Sequence, residues 1–127
     1  MKSIAILTGA GISAESGLAT FRGADGLWEG HRVEEVACRE AFQRNPELVQ
    51  KFYNLRRASL ADVNPNAAHL AIARLQREFR GKVTLVTQNV DDLHERAGSP
   101  GVIHMHGELR KVRCVFCEDV TEWSGDL

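Results

Sequence analysis

Residues 4–28 read IAILTGAGISAESGLATFRGADGLW. The apolar run Ile4 to Leu7 breaks at Thr8 into Gly9-Ala10-Gly11-Ile12-Ser13-Ala14, which is a strand, then G-x-G-x-x-A, then the start of a short helix. Glycines at these positions let the backbone turn tightly and approach a pyrophosphate, and a helix N-terminus points unpaired N–H groups at it. Directly after a strand, the motif has the context of a dinucleotide site. The same residues also suit a tight strand–helix turn with no ligand. One feature of the usual dinucleotide fold is missing: no second strand ends in an acidic residue about twenty positions on. Instead, residues 16–28 hold Gly17, Gly23 and Gly26 and no apolar period, so they read as a long loop. Long ordered loops in compact domains are usually functional. Phe21 and Arg22 suit a cover over a cofactor, the ring shielding it and the guanidinium binding phosphate. An ordinary surface loop is the alternative.

A chain of 127 residues is the size of one domain. Its 43% hydrophobic and 26% charged content is that of a globular protein. A net charge of −1 makes no case for nucleic acid or a membrane surface as partner. No run is long and apolar enough to span a bilayer, and Lys2 precedes only a strand-sized apolar run, so no signal peptide is expected. Cys38, Cys114 and Cys117 are odd in number and unevenly spread. That argues against a disulfide framework and for a reducing cytoplasm.

Further along, Glu34 to Val36 and Arg39 to Arg44 read as short helical pieces, with Cys38 a buried or half-buried thiol between them. Asn45-Pro46 is a helix start, Asn as cap and Pro at the first position. That helix runs to about Asp62, with Leu48, Phe52, Leu55 and Ser59 as its buried stripe. Tyr53 and Arg56 lie three apart on one face, where a phenol and a guanidinium fork can bind a carboxylate. A snorkelling Arg on an amphipathic helix is the plainer reading. Asn64-Pro65 repeats the start signal. Ala68, Ile72, Leu75 and Phe79 follow at helical spacing, and Gly81 is the stop. His69 reads as structural. Residues 82–87, KVTLVT, form a continuous apolar strand of the kind buried in a parallel sheet. Gln88, Asn89 and Asp91 follow at its C-terminal end, where open α/β sheets bind ligands. Asp91 or Asp92 can also cap the next short helix, which ends at Ala97-Gly98. Residues 102–106 form a short strand on which His104 and His106 point the same way. Residues 109–122 read as two strands joined by a turn carrying Cys114-x-x-Cys117, half of a four-ligand zinc set or a free thiol pair.

The stretch GAGISAESGLATFRGADGLW, together with Thr87-Gln88-Asn89-Val90-Asp91 and His104-Met105-His106-Gly107 in the same order, resembles the sirtuins, NAD-dependent protein-lysine deacylases, most closely their bacterial members. The resemblance covers essentially the whole chain. It implies an α/β fold with an incomplete Rossmann-like parallel sheet: residues 1–107 as the NAD-binding half with a helical insertion, residues 108–127 as the start of a small zinc-ribbon module. It places Gly9, Ala10, Gly11, Ser13, Glu15, Phe21, Arg22, Trp28, Gln88, Asn89, Val90 and Asp91 around NAD, which is consumed as co-substrate. Asn89 and His106 become catalytic. The acyl-lysine amide oxygen attacks the ribose carbon that carries nicotinamide, and His106 acts as general base on a ribose hydroxyl; an imidazole's ordinary pKa suits that task. Tyr53 and Arg56 resemble the pair that reads acidic acyl groups such as succinyl. Cys114 and Cys117 become zinc ligands.

The chain ends before a second Cys pair and before the second half of a doubly wound sheet, so the resemblance implies a fragment of the enzyme. Its last twenty residues are then expected to be loosely ordered, and one sheet edge unpaired. Acyl-lysine proteins or peptides are the expected partners, with no direct nucleic acid and no membrane. Two other classes stand beside this reading. One is a binding module in which His104, His106, Cys114 and Cys117 close a local zinc site. The other is an NAD- or ADP-ribose-binding domain without catalysis.

Overall fold

The computed structural model describes residues 2–19 and 27–127. Phe21 and Arg22 lie outside these. The core is a parallel sheet in the order β1-β2-β3, formed by Ser3–Thr8, Lys82–Thr87 and Ile103–His104. Parallel neighbours need a long crossover connection. Between β1 and β2 it comprises α1 (Gly11–Ala14), α2 (Val33–Val36), α3 (Arg39–Arg44), α4 (Pro46–Ser59) with a 3₁₀ turn Leu60–Asp62, and α5 (Ala67–Glu78). The connection from β2 to β3 carries α6 (Leu93–Arg96). Thr8 and Thr87 share one register row. The C-terminal ends of β1 and β2 therefore finish level, and Gly9–Gly11 and Gln88–Asp91 leave the sheet side by side. Leu85 on the central strand is fully buried, whereas Leu7 on β1 is 63% exposed. Burial follows strand position here, because β1 has a sheet neighbour on one side among the described residues.

The first N-terminal helix signal is used as expected; the second is not, and its helix starts two residues later. Asn45 caps α4, its Oδ1 accepting from the Leu48 N–H at 3.1 Å, with Pro46 in the first turn. For α5 the cap is Asn66 rather than Asn64: its Oδ1 accepts from the Ala68 N–H, and its Nδ2 donates to the Ile12 carbonyl and the Ser16 hydroxyl. Asn64 Oδ1 instead accepts from Arg96 Nη2 at 3.1 Å, so that side chain is engaged elsewhere, while Asn66 ties the helix start to the segment after β1. The buried stripes are rotated from those expected. On α4 the inward side chains are Val49, Phe52 and Arg57, while Leu55 is 65% exposed and Ser59 is also exposed. On α5 they are His69 and Ala73, with Ala68 and Leu75 outward. Polar Arg57 and His69 take core positions because each finds hydrogen-bond partners there. Gly81 does not end α5, which stops at Glu78; a Cβ on Gly81 would stand 2.3 Å from the Lys2 carbonyl, so Gly81 lets the chain enter β2 beside the start of β1.

A small aromatic core holds the loop side of the molecule. Trp28, Val36 and Phe52 are buried, with Tyr53 and Leu48 packed on them. Trp28 meets Phe52 and Tyr53 edge-on, with ring centroids 5.0 and 6.3 Å apart. Trp28 and His31 exchange backbone hydrogen bonds at 2.8 and 3.0 Å across Glu29-Gly30, both at positive φ (50° and 79°). That is the backbone of a tight hairpin turn.

Strands β4 (Lys111–Arg113) and β5 (Val120–Glu122) pair antiparallel across the Cys114–Cys117 turn. The segment is tied to α4 by side-chain hydrogen bonds. Arg57, 5% exposed, donates from Nε to the Leu109 carbonyl at 2.7 Å and from Nη1 to the Gly125 carbonyl at 3.2 Å and Asn54 Oδ1 at 2.9 Å. Asn54 in turn exchanges bonds with the backbone of Leu127. A buried cation on α4 thus docks the hairpin, which composition alone does not reveal.

Candidate functional site

A cavity of about 500 Å³ opens where β1 and β2 end. Ala10, Ser13, Gln88, Asn89, Val90, Asp91 and His106 line it, together with Trp28, Tyr53, Arg56 and Leu60. The sequence motifs therefore converge, although they come from three separate stretches. Gly9 sits just behind this wall, its carbonyl accepting from Asn89 Nδ2 at 3.0 Å. Neither Gly9 nor Gly11 needs to be glycine for packing: an added Cβ meets only Gln88 Nε2 at 4.0 Å in the first case and nothing within 4 Å in the second, and neither has positive φ. Space kept clear along a strand–helix turn fits a ligand lying against that backbone. Glu15 is exposed at the C-terminal end of α1 and is not among the lining residues. Phe21 and Arg22 fall outside the described residues.

Beneath the cavity lies a polar network that the sequence reading passed over. Asn66 N–H donates to His69 Nδ1 at 3.2 Å, so the ring proton sits on Nε2, which faces Ser13 Oγ at 3.4 Å. Ser13 Oγ donates to Asp91 Oδ2 at 2.8 Å and accepts from Asn89 Nδ2 at 3.2 Å. Asp91 Oδ1 accepts from the Leu93 N–H at 3.1 Å. Asp91 therefore also caps the next helix, while Asp92, at the N-cap position, makes no side-chain cap bond. Thr87 Oγ1 accepts from the Asn89 N–H at 3.0 Å and from Thr8 Oγ1 at 2.9 Å, and Thr8 is joined to His94 Nε2 at 2.9 Å. The two buried rings of His69 and His94 lie 4.9 Å apart. Burial pushes both imidazoles below their ordinary pKa, against the pull of Asp91. Neutral rings suit a chain that must donate in one fixed direction. The available signal was a threonine ending both β1 and β2, and His94 three residues after Asp91.

The two histidines of the last motif separate. His104 stays on β3 with its side chain 4% exposed; Nδ1 donates to the Asn89 carbonyl at 2.9 Å and Nε2 meets Glu95 Oε1 at 2.5 Å. Burial opposes its charge, but Glu95, the Asn89 carbonyl and Glu108 win, and its pKa is raised. β3 ends there, two residues earlier than expected. His106 lies beyond it, exposed and facing the cavity, followed by Gly107 at φ 85°, where a side chain would be strained. Among the described residues, the one group of three possible metal ligands is Glu95, His104 and Glu108. The local site of His104, His106, Cys114 and Cys117 is therefore not formed, because His104 is turned to Asn89 and Glu95. Cys114 and Cys117 are exposed in their turn; the Phe116 N–H points at Cys114 Sγ at 3.4 Å, and N–H groups of Cys117 and Phe116 draw that thiol below its usual pKa.

Also lining the cavity, Arg56 lies over the Trp28 ring, 4.3 Å from its centroid, and 5.8 Å from that of Phe52. Its Nη1 is 3.6 Å from Glu29 Oε1, and its Nε is buried with no hydrogen-bond partner. Burial raises the Tyr53 pKa and lowers that of Arg56; Glu29, Tyr53 and Asp91 oppose the latter shift. A guanidinium with a spare buried donor at a cavity wall is equipped to take a ligand oxygen.

The model of the Sir2 family matches residues 9–125. The chain belongs to the Sir2 family. It is 60% identical over 128 residues to an NAD-dependent protein deacylase of Vibrio parahaemolyticus, an alignment that takes in 99% of this chain and 53% of that protein. A mutant Sir2 homologue in complex with ADP-ribose superposes with a TM-score of 0.87 at 52% identity, over 98% of this chain and 49% of the other. A Sir2 homologue–NAD complex gives a TM-score of 0.82 at 50% identity, over 98% and 48%. This Sir2-family chain thus spans about half the length of the curated relatives it matches. Among its described residues no helix is long and apolar enough to cross a membrane.

Proposed function

We propose that this Sir2-family chain supplies the NAD-binding and catalytic-base half of an NAD-dependent protein-lysine deacylase. The observation that carries the reading is the convergence, in one cavity, of Ala10, Ser13, Asn89, Asp91 and His106 with Tyr53 and Arg56. NAD would lie along the clear backbone of Gly9–Gly11, with Asn89 and Asp91, held by Ser13, toward its ribose and nicotinamide end. NAD supplies an activated ribose carbon, and the acyl-lysine amide oxygen displaces nicotinamide from it. Asn89 is fixed through its backbone by Thr87 and His104 and through its side chain by Gly9 and Ser13, so it orients the reacting end without reorganising. His106, free of the buried network and open to the cavity, takes the proton of a ribose hydroxyl. One water adds at the acyl carbon as its bond to the lysine nitrogen breaks, so acyl-lysine, NAD and water give free lysine, nicotinamide and an O-acyl-ADP-ribose. Tyr53 and Arg56 admit acidic acyl groups as well as acetyl.

Residues 1–107 form the NAD-binding half and residues 108–127 the start of a zinc module. The thiol pair fits this, since N–H groups already face Cys114 sulfur. Cys114 and Cys117 would hold two of four zinc positions, and the metal would brace the hairpin. The acyl-lysine substrates are proteins or peptides, and the compartment is the cytoplasm.

The test is His106→Ala in the full-length chain. NAD binding should persist while acyl-lysine turnover falls by at least about a hundredfold, the usual size of a general-base contribution. Undiminished turnover, or a loss confined to His104→Ala, rejects His106 as base. Binding of ADP-ribose without any nicotinamide release from the wild type would favour the non-catalytic reading.

A further inference from the structure

Glu29 stands where no sequence motif calls for an acid. It occupies the first turn position of the Trp28–His31 hairpin at φ 50°, a left-handed conformation that is strained for a non-glycine residue. Glycine or asparagine is the ordinary choice there. A side chain kept at a strained position is often one that is used. This one reaches Arg56: Oε1 lies 3.6 Å from Nη1, and among the described residues Glu29 is the one carboxylate within ion-pair reach of that guanidinium. The pair is unequal. The Arg56 side chain is 13% exposed and keeps an unpartnered buried Nε, whereas Glu29 is 48% exposed at the rim. Arg56 is also placed without Glu29, because Trp28 lies beneath its guanidinium. The carboxylate therefore neutralises the site more than it builds it.

We propose that Glu29 is a resident counter-anion of Arg56, which an acidic acyl group on lysine has to displace or tolerate, so that Glu29 tunes the site's preference between acidic and neutral acyl chains. The inference rests on the reading of Tyr53 and Arg56 as the acyl-carboxylate pair. A succinyl-type carboxylate entering the cavity would take the free Nε and one Nη of Arg56, and it would meet Glu29 as a like charge nearby. An acetyl group carries no charge and does not compete. Removing the Glu29 charge should therefore raise acidic-acyl turnover relative to neutral-acyl turnover.

The experiment compares succinyl-lysine and acetyl-lysine peptides of one sequence, with NAD, in the full-length chain and in Glu29→Gln, Arg56→Met and the double variant. Gln keeps the shape of the side chain, and the half-exposed position leaves the core untouched; a thermal melt checks the fold. In Glu29→Gln the ratio of kcat/KM for desuccinylation over deacetylation should rise about two- to fivefold, the scale of a partly exposed ion pair, and mainly through KM for the succinyl peptide. The rise should vanish when Arg56→Met is added. An unchanged or lower ratio in Glu29→Gln, with desuccinylation still selectively lost in Arg56→Met, overturns the role of Glu29 and leaves the acyl pair standing. Equal losses on both peptides in Arg56→Met overturn the acyl reading and this inference with it.

Discussion

Replacing Arg57 by Met tests whether α4 holds the Cys-bearing hairpin in place. Met keeps most of the aliphatic stem and its packing, so the change isolates the guanidinium. Three hydrogen bonds disappear, but they do not count equally. Gly125 lies in an exposed segment, so water can replace Arg57 at its carbonyl. Asn54 Oδ1 still accepts from the Leu127 N–H. The Leu109 carbonyl is different: Leu109 is 4% exposed, and its 2.7 Å bond to Arg57 has no ready substitute. The loss is then one charge-assisted bond with an orphaned buried acceptor, roughly 2–3 kcal/mol. Set against a typical domain stability of about 5–15 kcal/mol, that is a large fraction. Urea unfolding of the 127-residue chain measures the total. Amide hydrogen exchange shows where the loss falls, and protection should drop across residues 109–123 before it drops in β1 and β2. A change below about 0.5 kcal/mol, the size of an ordinary surface substitution, with exchange in the hairpin unaltered, would refute the anchoring argument.

Ser13→Ala should weaken NAD binding about ten- to a hundredfold, since Asp91 Oδ2 loses its hydroxyl donor and Asn89 one of its two side-chain anchors; titration calorimetry reads this, and unchanged affinity would mean the network is only structural. The buried neutral rings of His69 and His94 have depressed folded pKa values, so stability is intact above an unfolded-state pKa of about 6.5 and falls as pH drops below it. His104 has the opposite sign: its raised folded pKa gives stability that is complete below about 6.5 and is lost as pH rises through the folded value, so His104→Gln should flatten the alkaline side of a pH–stability curve and leave the acid side. With two thiols in the turn and no third ligand grouped with them among the described residues, the 127-residue chain should retain well under one zinc after gel filtration; stoichiometric metal that disappears in Cys117→Ser would reveal a local site instead.

Local chemistry determined much of this protein by itself. The apolar runs of β1 and β2 and the Asn45-Pro46 cap are decided within a few residues, by burial, by a side-chain cap and by a fixed φ. Their order along the chain was enough to place Gln88–Asp91 at the ligand-binding end of a parallel sheet. What the chain order could not assign was partnership between distant groups. His69 and Arg57 are polar residues at buried positions, and a periodicity count puts apolar neighbours there instead; only the approach of Ser13, and of Leu109, makes those positions satisfiable. The fates of His104 and His106 were undecided because two residues of one strand share a face; the end of β3 after His104 turned one to Asn89 and left the other in the cavity. Glu29 was invisible for the same reason. Its meaning lies in a guanidinium 27 positions away in sequence and 3.6 Å away in space, and such pairings are fixed by the packing of Trp28 on Phe52, which no local pattern encodes.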